Sequence, residues 1–202
     1  MENVRRVSLV GYDELAARIR AKDPRAGVTR VVAVDGPAGS GKTTFAGRLA
    51  AAIGASVIHS DDLCPGWDGL QEVGPLLLER VLKPLTSGAA PRYQRYDWDR
   101  AAYAEWRELP PGPTLLIEGV NSGPRAAASY LSLLLWIDAP FELRLSRGLQ
   151  RDGEESRERW ERWMAEEAAL FRAERTRERA DLHVDGASTL PQDPERTFIA
   201  LP

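Results

Sequence analysis

Apolar and polar positions alternate along the chain in two periods. Over residues 13–21, Leu15, Ala16 and Ile19 fall at helical spacing behind Asp13, a good N-cap, so a helix over 13–22 is expected. TRVVAVDG (29–36) is a short β-branched run closed by Gly36-Pro37 and predicts a buried strand. Lys42 to Ile53 places Phe45, Leu49, Ala52 and Ile53 on one helical face, and ASVIHS (55–60) predicts a second strand. A polar loop, DDLCPGWDGL, follows, then a helix over 75–84. Residues 91–109 are dense in aromatics and arginines without a clean period. Strands are expected at 113–119, 132–140 and 180–186, and helices at 141–152 and 155–180. In the last of these, Trp160, Trp163, Met164, Ala168 and Phe171 form one stripe, and Trp160, Trp163 and Phe171 read as packing rather than ligand stacking. From Ala187 the tail is Pro-rich and reads as irregular.

Strands thus alternate with helices, and several strands are apolar on both faces, as parallel strands covered by helices must be. Neither a repeat nor a linker divides the chain. One α/β domain over residues 1–202 is expected, with its core at 29–186.

Composition narrows the function classes. The 202 residues are 43% hydrophobic and 28% charged, with a net charge of -3, which is ordinary globular usage. A dedicated nucleic-acid binder would be strongly basic. Cys64 is the single cysteine, so no disulfide framework exists, and a buried bystander thiol is expected. The first fifteen residues show no apolar leader and no run is long enough to span a bilayer, so a cytoplasmic protein without a membrane or nucleic-acid partner is expected. Self-association is left open.

The strongest chemical signal is Gly36-Pro37-Ala38-Gly39-Ser40-Gly41-Lys42-Thr43, which fits G-x-x-x-x-G-K-[ST] between a strand and a helix. Glycines let successive N–H groups turn into one hollow at the positive end of a helix, where phosphate binds. Lys42 would reach the β- and γ-phosphates, Thr43 would offer its hydroxyl to Mg²⁺, and Thr44 would add a contact to the α-phosphate. ATP and Mg²⁺ are therefore the expected cofactors. The chain has no N-K-x-D loop of the kind that reads guanine in GTPases.

Three further groups bear on what is done with the nucleotide. Glu118 ends the strand LLIEG, where open α/β sheets place ligands, and can hold Mg²⁺ through water. Asp61 and Asp62 close the strand after the P-loop helix, and one could take a hydroxyl proton while the other serves the metal's water; an ordinary Asx turn is the plainer reading. Arg144, Arg147 and Arg151 share a helical face, either as cations over a transferring phosphoryl group or as a solvated stripe. Tyr93, Tyr96, Trp98, Tyr103 and Trp106, with Arg92 and Arg95, suggest either a cup for a planar or sugar-like acceptor or a satellite core.

In order, GPAGSGKTT, HSDDL, YDW, LLIEGV, LSRGLQRD and ADLHVDG resemble the uridine kinase family and its nucleoside and pantothenate kinase relatives, over roughly residues 29–186. The resemblance implies a P-loop NTPase-type three-layer fold with a helical lid, and γ-phosphoryl transfer from Mg²⁺-ATP to a hydroxyl of a small molecule. It implies that Asp61 is the general base, leaving Asp62 to the metal, that Arg147 and Arg151 close on ATP, and that Tyr96, Asp97 and Trp98 belong to the acceptor pocket. Leu63-Cys64 stands where the family carries an aromatic pair, and Gly148 where it carries a second arginine, so the acceptor pocket is remodelled. A phosphotransferase for another metabolite or an antibiotic, and an ATP-binding regulatory protein acting through a partner, are the competing readings.

Overall fold

A computed structural model of the chain describes residues 7–202, so the first six residues of the stretch read as lacking a leader lie outside it. Seven strands form the central sheet: β1 (Ser8–Gly11), β2 (Arg30–Asp35), β3 (Ser56–His59), β6 (Thr114–Glu118), β7 (Leu131–Asp138), β8 (Leu182–Asp185) and β9 (Thr197–Leu201), in the order β1-β9-β8-β7-β2-β6-β3. The five strands from β8 to β3 pair in parallel, whereas β9 pairs antiparallel with both β8 and β1.

The period of two decides which helices cover which face. Val32, Val34, Leu116, Leu133 and Leu135 pack with Leu15, Ile19, Phe45 and Leu49 of α1 (Tyr12–Arg20) and α2 (Lys42–Ile53). The alternate positions Val31, Ala33, Leu115, Ile117 and Leu134 pack with Leu77, Val81, Leu82, Leu85 and Tyr93. Each strand therefore buries both faces, which is why it reads as a continuous apolar run. The second cover comes from α3 (Leu70–Leu77), a π-helical stretch Leu78–Leu82 and α4 (Lys83–Thr86). This arc is longer than the helix expected at 75–84. In a regular α-helix Pro84 could not donate to residue 80 and its ring would press on that carbonyl, and the wider π stretch lies just ahead of it.

Two regions depart from expectation. The tail is irregular only over 187–196; its last residues form β9, with Phe198, Ile199 and Ala200 buried between β8 and β1. Residues 91–109 form a separate hairpin of β4 (Arg92–Asp97) and β5 (Ala102–Glu108), with a register shift between Gln94 and Tyr96 that breaks the alternation. The long charged helix is α6 (Arg157–Glu174), ended by Arg175 at φ 51 before the short α7 (Thr176–Arg179). It follows α5 (Phe141–Asp152). Among the described residues no helix is long and apolar enough to cross a membrane.

Candidate phosphoryl-transfer site

The loop between β2 and α2 has the geometry its glycines allow. Gly36 has φ +142, and a Cβ there would stand 2.2 Å from the Ile137 carbonyl oxygen; Gly41 has φ +99 and opens α2. Among the described residues, the N–H groups of Gly39, Gly41, Lys42, Thr43 and Thr44 have no protein acceptor. Five donors at a helix N-terminus suit a polyphosphate. Lys42 is buried, and its Nζ donates to the Pro37 carbonyl at 2.8 Å, which holds the ammonium over the loop.

A buried aspartate fixes this loop to its neighbour. Asp35 accepts hydrogen bonds from the N–H groups of Gly36 (2.7 Å), Asn121 (3.1 Å) and Gly123 (2.8 Å). Burial pushes its pKa up to about 6 despite these donors. In the sequence Asp35 is only the end of a strand, because its partners lie 86 and 88 residues away.

The neighbouring strand ends bring acids to the same place. Thr43 Oγ1 meets the two carboxylate oxygens of Glu118 at 3.2 and 3.3 Å, and His59 Nδ1 lies 2.5 Å from Glu118 Oε1. That hydrogen bond raises the His59 pKa, against a smaller opposing effect of burial. His59 carried no signal in the sequence; its role follows from the pairing of β3 with β6, which sets it opposite Glu118. Thr43 and Glu118 form a hard oxygen pair beside the phosphate donors, which suits Mg²⁺ with phosphate and water as its other ligands. Among the described residues no cluster of three or more His, Cys, Asp or Glu could hold a metal by protein ligands alone.

Asp61 lies with Lys42, Thr43, Glu118 and Arg151 on the wall of one cavity of about 640 Å³. Its carboxylate opens to the cavity but is crowded by protein. Desolvation raises its pKa and the Glu118 charge adds to this, while Lys42, Arg151 and His59 oppose it. Four indoles complete the wall: Trp67, Trp98, Trp160 and Trp163. Trp67 meets the other three edge to face, with ring centroids 5.8 to 6.1 Å apart. Trp160 and Trp163 are buried, as the stripe on α6 implies, yet both also line the cavity. Trp98 donates from Nε1 to the Asp61 carbonyl at 3.1 Å, tying the hairpin to this turn.

Several expected site residues stand elsewhere. Asp62 does not line the cavity: its carboxylate accepts from Arg107 (2.9 Å) and the Tyr93 hydroxyl (3.2 Å), so it is not placed to hold the metal. Arg92 is exposed and stacks on Trp106, 4.7 Å from the ring centroid. Asp97 is held by Arg95 (3.1 Å) and the Arg100 N–H (3.0 Å) in the hairpin turn. Tyr96 is buried edge-on between Trp98 and Tyr103 and supports the wall from behind. Of the YDW segment, only Trp98, just past the end of β4, reaches the cavity.

The arginines of α5 point to the phosphate loop but divide between places. Arg144 pairs with buried Glu167 of α6 at 2.8 Å, and Glu167 also accepts the Ala38 N–H at 2.8 Å. Arg147 donates to the carbonyls of Gly39 (2.9 Å) and Gly186 (3.2 Å) and lines a second cavity of about 440 Å³ with Thr44. Only Arg151 faces the first cavity. Cys64 is buried, and burial raises its pKa, so the thiol is inert.

No protein-family model and no curated protein matches the chain. Among solved structures, it is similar to one titled "Possible Uridine Kinase from Bacillus stearothermophilus", at 20% identity and TM-score 0.64, covering 85% of this chain and 96% of that one. It is also similar to a "putative fructose transport system kinase from Silicibacter sp. TM1040", at 20% identity and TM-score 0.63, covering 82% and 95%. What this likeness shows is the fold: a mixed α/β fold, with a mostly parallel seven-stranded sheet between helices, that the chain shares with these two structures.

Proposed function

We propose that the protein is a Mg²⁺-ATP-dependent kinase that transfers the γ-phosphoryl group to a hydroxyl of a small molecule. The observation that carries this reading is one cavity that holds Lys42 and Thr43 of the phosphate loop together with the Asp61 carboxylate and Arg151. The free N–H groups of residues 39 and 41–44 would cradle the phosphates, and Lys42 would balance charge on the group in transfer. Thr43 and, through water, Glu118 would hold magnesium, which neutralises phosphate charge and fixes the line of displacement. Asp61 would take the proton of the acceptor hydroxyl as its oxygen bonds to phosphorus and the bridging oxygen departs with ADP. Arg151 would close over the group in transfer, and Arg147 over the nucleotide at the second cavity.

The order of motifs and the shared fold support a uridine kinase-like enzyme. The wall of indoles supports an acceptor with a flat or ring-shaped face, a nucleoside or a sugar, because the Trp98 and Trp160 N–H groups are already engaged and leave mainly apolar ring surface. The test is ADP release in a coupled assay over nucleosides, pantothenate-like alcohols, sugars and aminoglycosides. ADP formation should rise sharply with one of these classes. Formation that ignores every hydroxyl compound and rises only with a protein would replace the kinase with a regulatory ATPase.

A further inference from the structure

Glu167 is a charged residue on the buried face of α6, 1% exposed, and the transfer chemistry proposed above gives it no part. It lies seven residues after Trp160 and four after Trp163, so one stripe of one helix carries it and two indoles of the cavity wall. Both of its oxygens are engaged. Oε2 accepts the Ala38 N–H and Oε1 the Arg144 guanidinium, each at 2.8 Å. Burial pushes its pKa up, while the Ala38 N–H, the Lys42 charge and Arg144 hold it down.

Ala38 stands between the same two parts of the site. Its side chain packs on the apolar clusters of Trp160 and of Trp163, and it lines the cavity. Before it comes Pro37, whose carbonyl accepts from Lys42 at 2.8 Å. After it comes Gly39, whose N–H has no protein acceptor among the described residues. A triphosphate on the loop engages both Lys42 and Gly39. It therefore acts on the segment that Glu167 holds and on the Lys42 charge that Glu167 feels. We infer that Glu167 is a positioning residue that ties the acceptor wall to the phosphate loop: nucleotide on the loop orders α6, and α6 sets Trp160 and Trp163 for the acceptor. Nucleotide and acceptor then tighten each other's binding by one common factor, since coupling is reciprocal. This rests on the kinase reading, which supplies both ligands.

Hydrogen exchange of the α6 backbone amides, with and without Mg²⁺-tripolyphosphate or Mg²⁺-ATP, tests this. In the native chain either probe should slow exchange over residues 160–167 by about tenfold, the size of an ordinary coupling. Arg144→Met with Glu167→Met removes the link without stranding a buried charge. That double variant should bind both probes in calorimetry and show no slowing in α6. With the acceptor identified, its KM should fall about tenfold between low and saturating ATP in the native enzyme and stay level in the double variant. A native α6 that ignores the bound probes overturns the inference, whether or not the double variant folds. A folded double variant that keeps the slowing also overturns it, because the effect then runs through other residues of α6. One that folds but binds neither probe makes the pair a structural part of the loop and overturns it likewise. In each of these cases the kinase reading stands. Failure of ATP itself to bind the native chain overturns the phosphate-loop reading, and this inference with it.

Discussion

Asp61 and Asp62 are neighbours with different surroundings because the turn Ser60–Leu63 is a 3₁₀ helix, which rotates successive side chains by about 120°. Asp61 is sent to the cavity and Asp62 to Arg107 and Tyr93. The pair of acids was legible in the sequence; the separation of their surroundings was not. The partner that claims Asp62 comes from the far strand of a hairpin, 45 residues away, and no local pattern announces it. The environment of Asp61 sets a pH dependence. Desolvation by the protein crowded around it and the Glu118 charge hold its pKa above the ordinary 3.8. A general base works ionised, so turnover is lost as pH falls through that raised pKa. The acid limb of kcat/KM should therefore lie above the ordinary aspartate value and be absent from the residual activity of Asp61→Asn. A limb at or below that value in the native enzyme would remove Asp61 from the role.

Between elements, the packing of α5 against α6 explains why position 148 is a glycine. A Cβ on Gly148 would stand 2.4 Å from the Trp160 ring. That ring cannot withdraw, because its Nε1 donates to Asp152 at 2.9 Å and Trp67 packs on it. Position 148 is glycine because any side chain there would displace the indole that lines the cavity. Gly148→Arg should therefore lower stability by about 3 kcal/mol, read as a fall in the urea midpoint, since overfilling a packed contact forces neighbours off their rotamers. An unchanged midpoint would contradict the packing account. The strands that escaped the sequence did so for physical reasons. β1 buries only Val10, so it lacks the apolar run that marks other strands of its length, and β9 is masked by the Pro-rich stretch before it. β5 is exposed at almost every position, so it has no buried face to alternate with.

Across the whole molecule, the order β2-β6-β3 brings the site together. Lys42 follows β2, Glu118 ends β6 and Asp61 follows β3, so three segments distant in the chain become neighbours at one edge of the sheet. That edge, at the C-terminal ends of parallel strands, is where such sheets bind ligands. The phosphate loop and the strand-end acids were legible because they follow apolar runs that could only be buried strands. The support behind them was not: Asp35, Glu167 and His59 act through partners brought near by sheet order and helix docking. The central claim is that the cavity divides its labour, with the loop holding the nucleotide and Asp61 acting on the acceptor. The measurement that tests it most directly sets ATP affinity by calorimetry beside turnover with the identified acceptor, for Asp61→Asn and Lys42→Ala. Asp61→Asn should bind ATP as the native enzyme does and transfer about 10²- to 10⁴-fold more slowly, while Lys42→Ala should lose about 10²- to 10³-fold in turnover. An Asp61→Asn enzyme that transfers at the native rate would contradict the account.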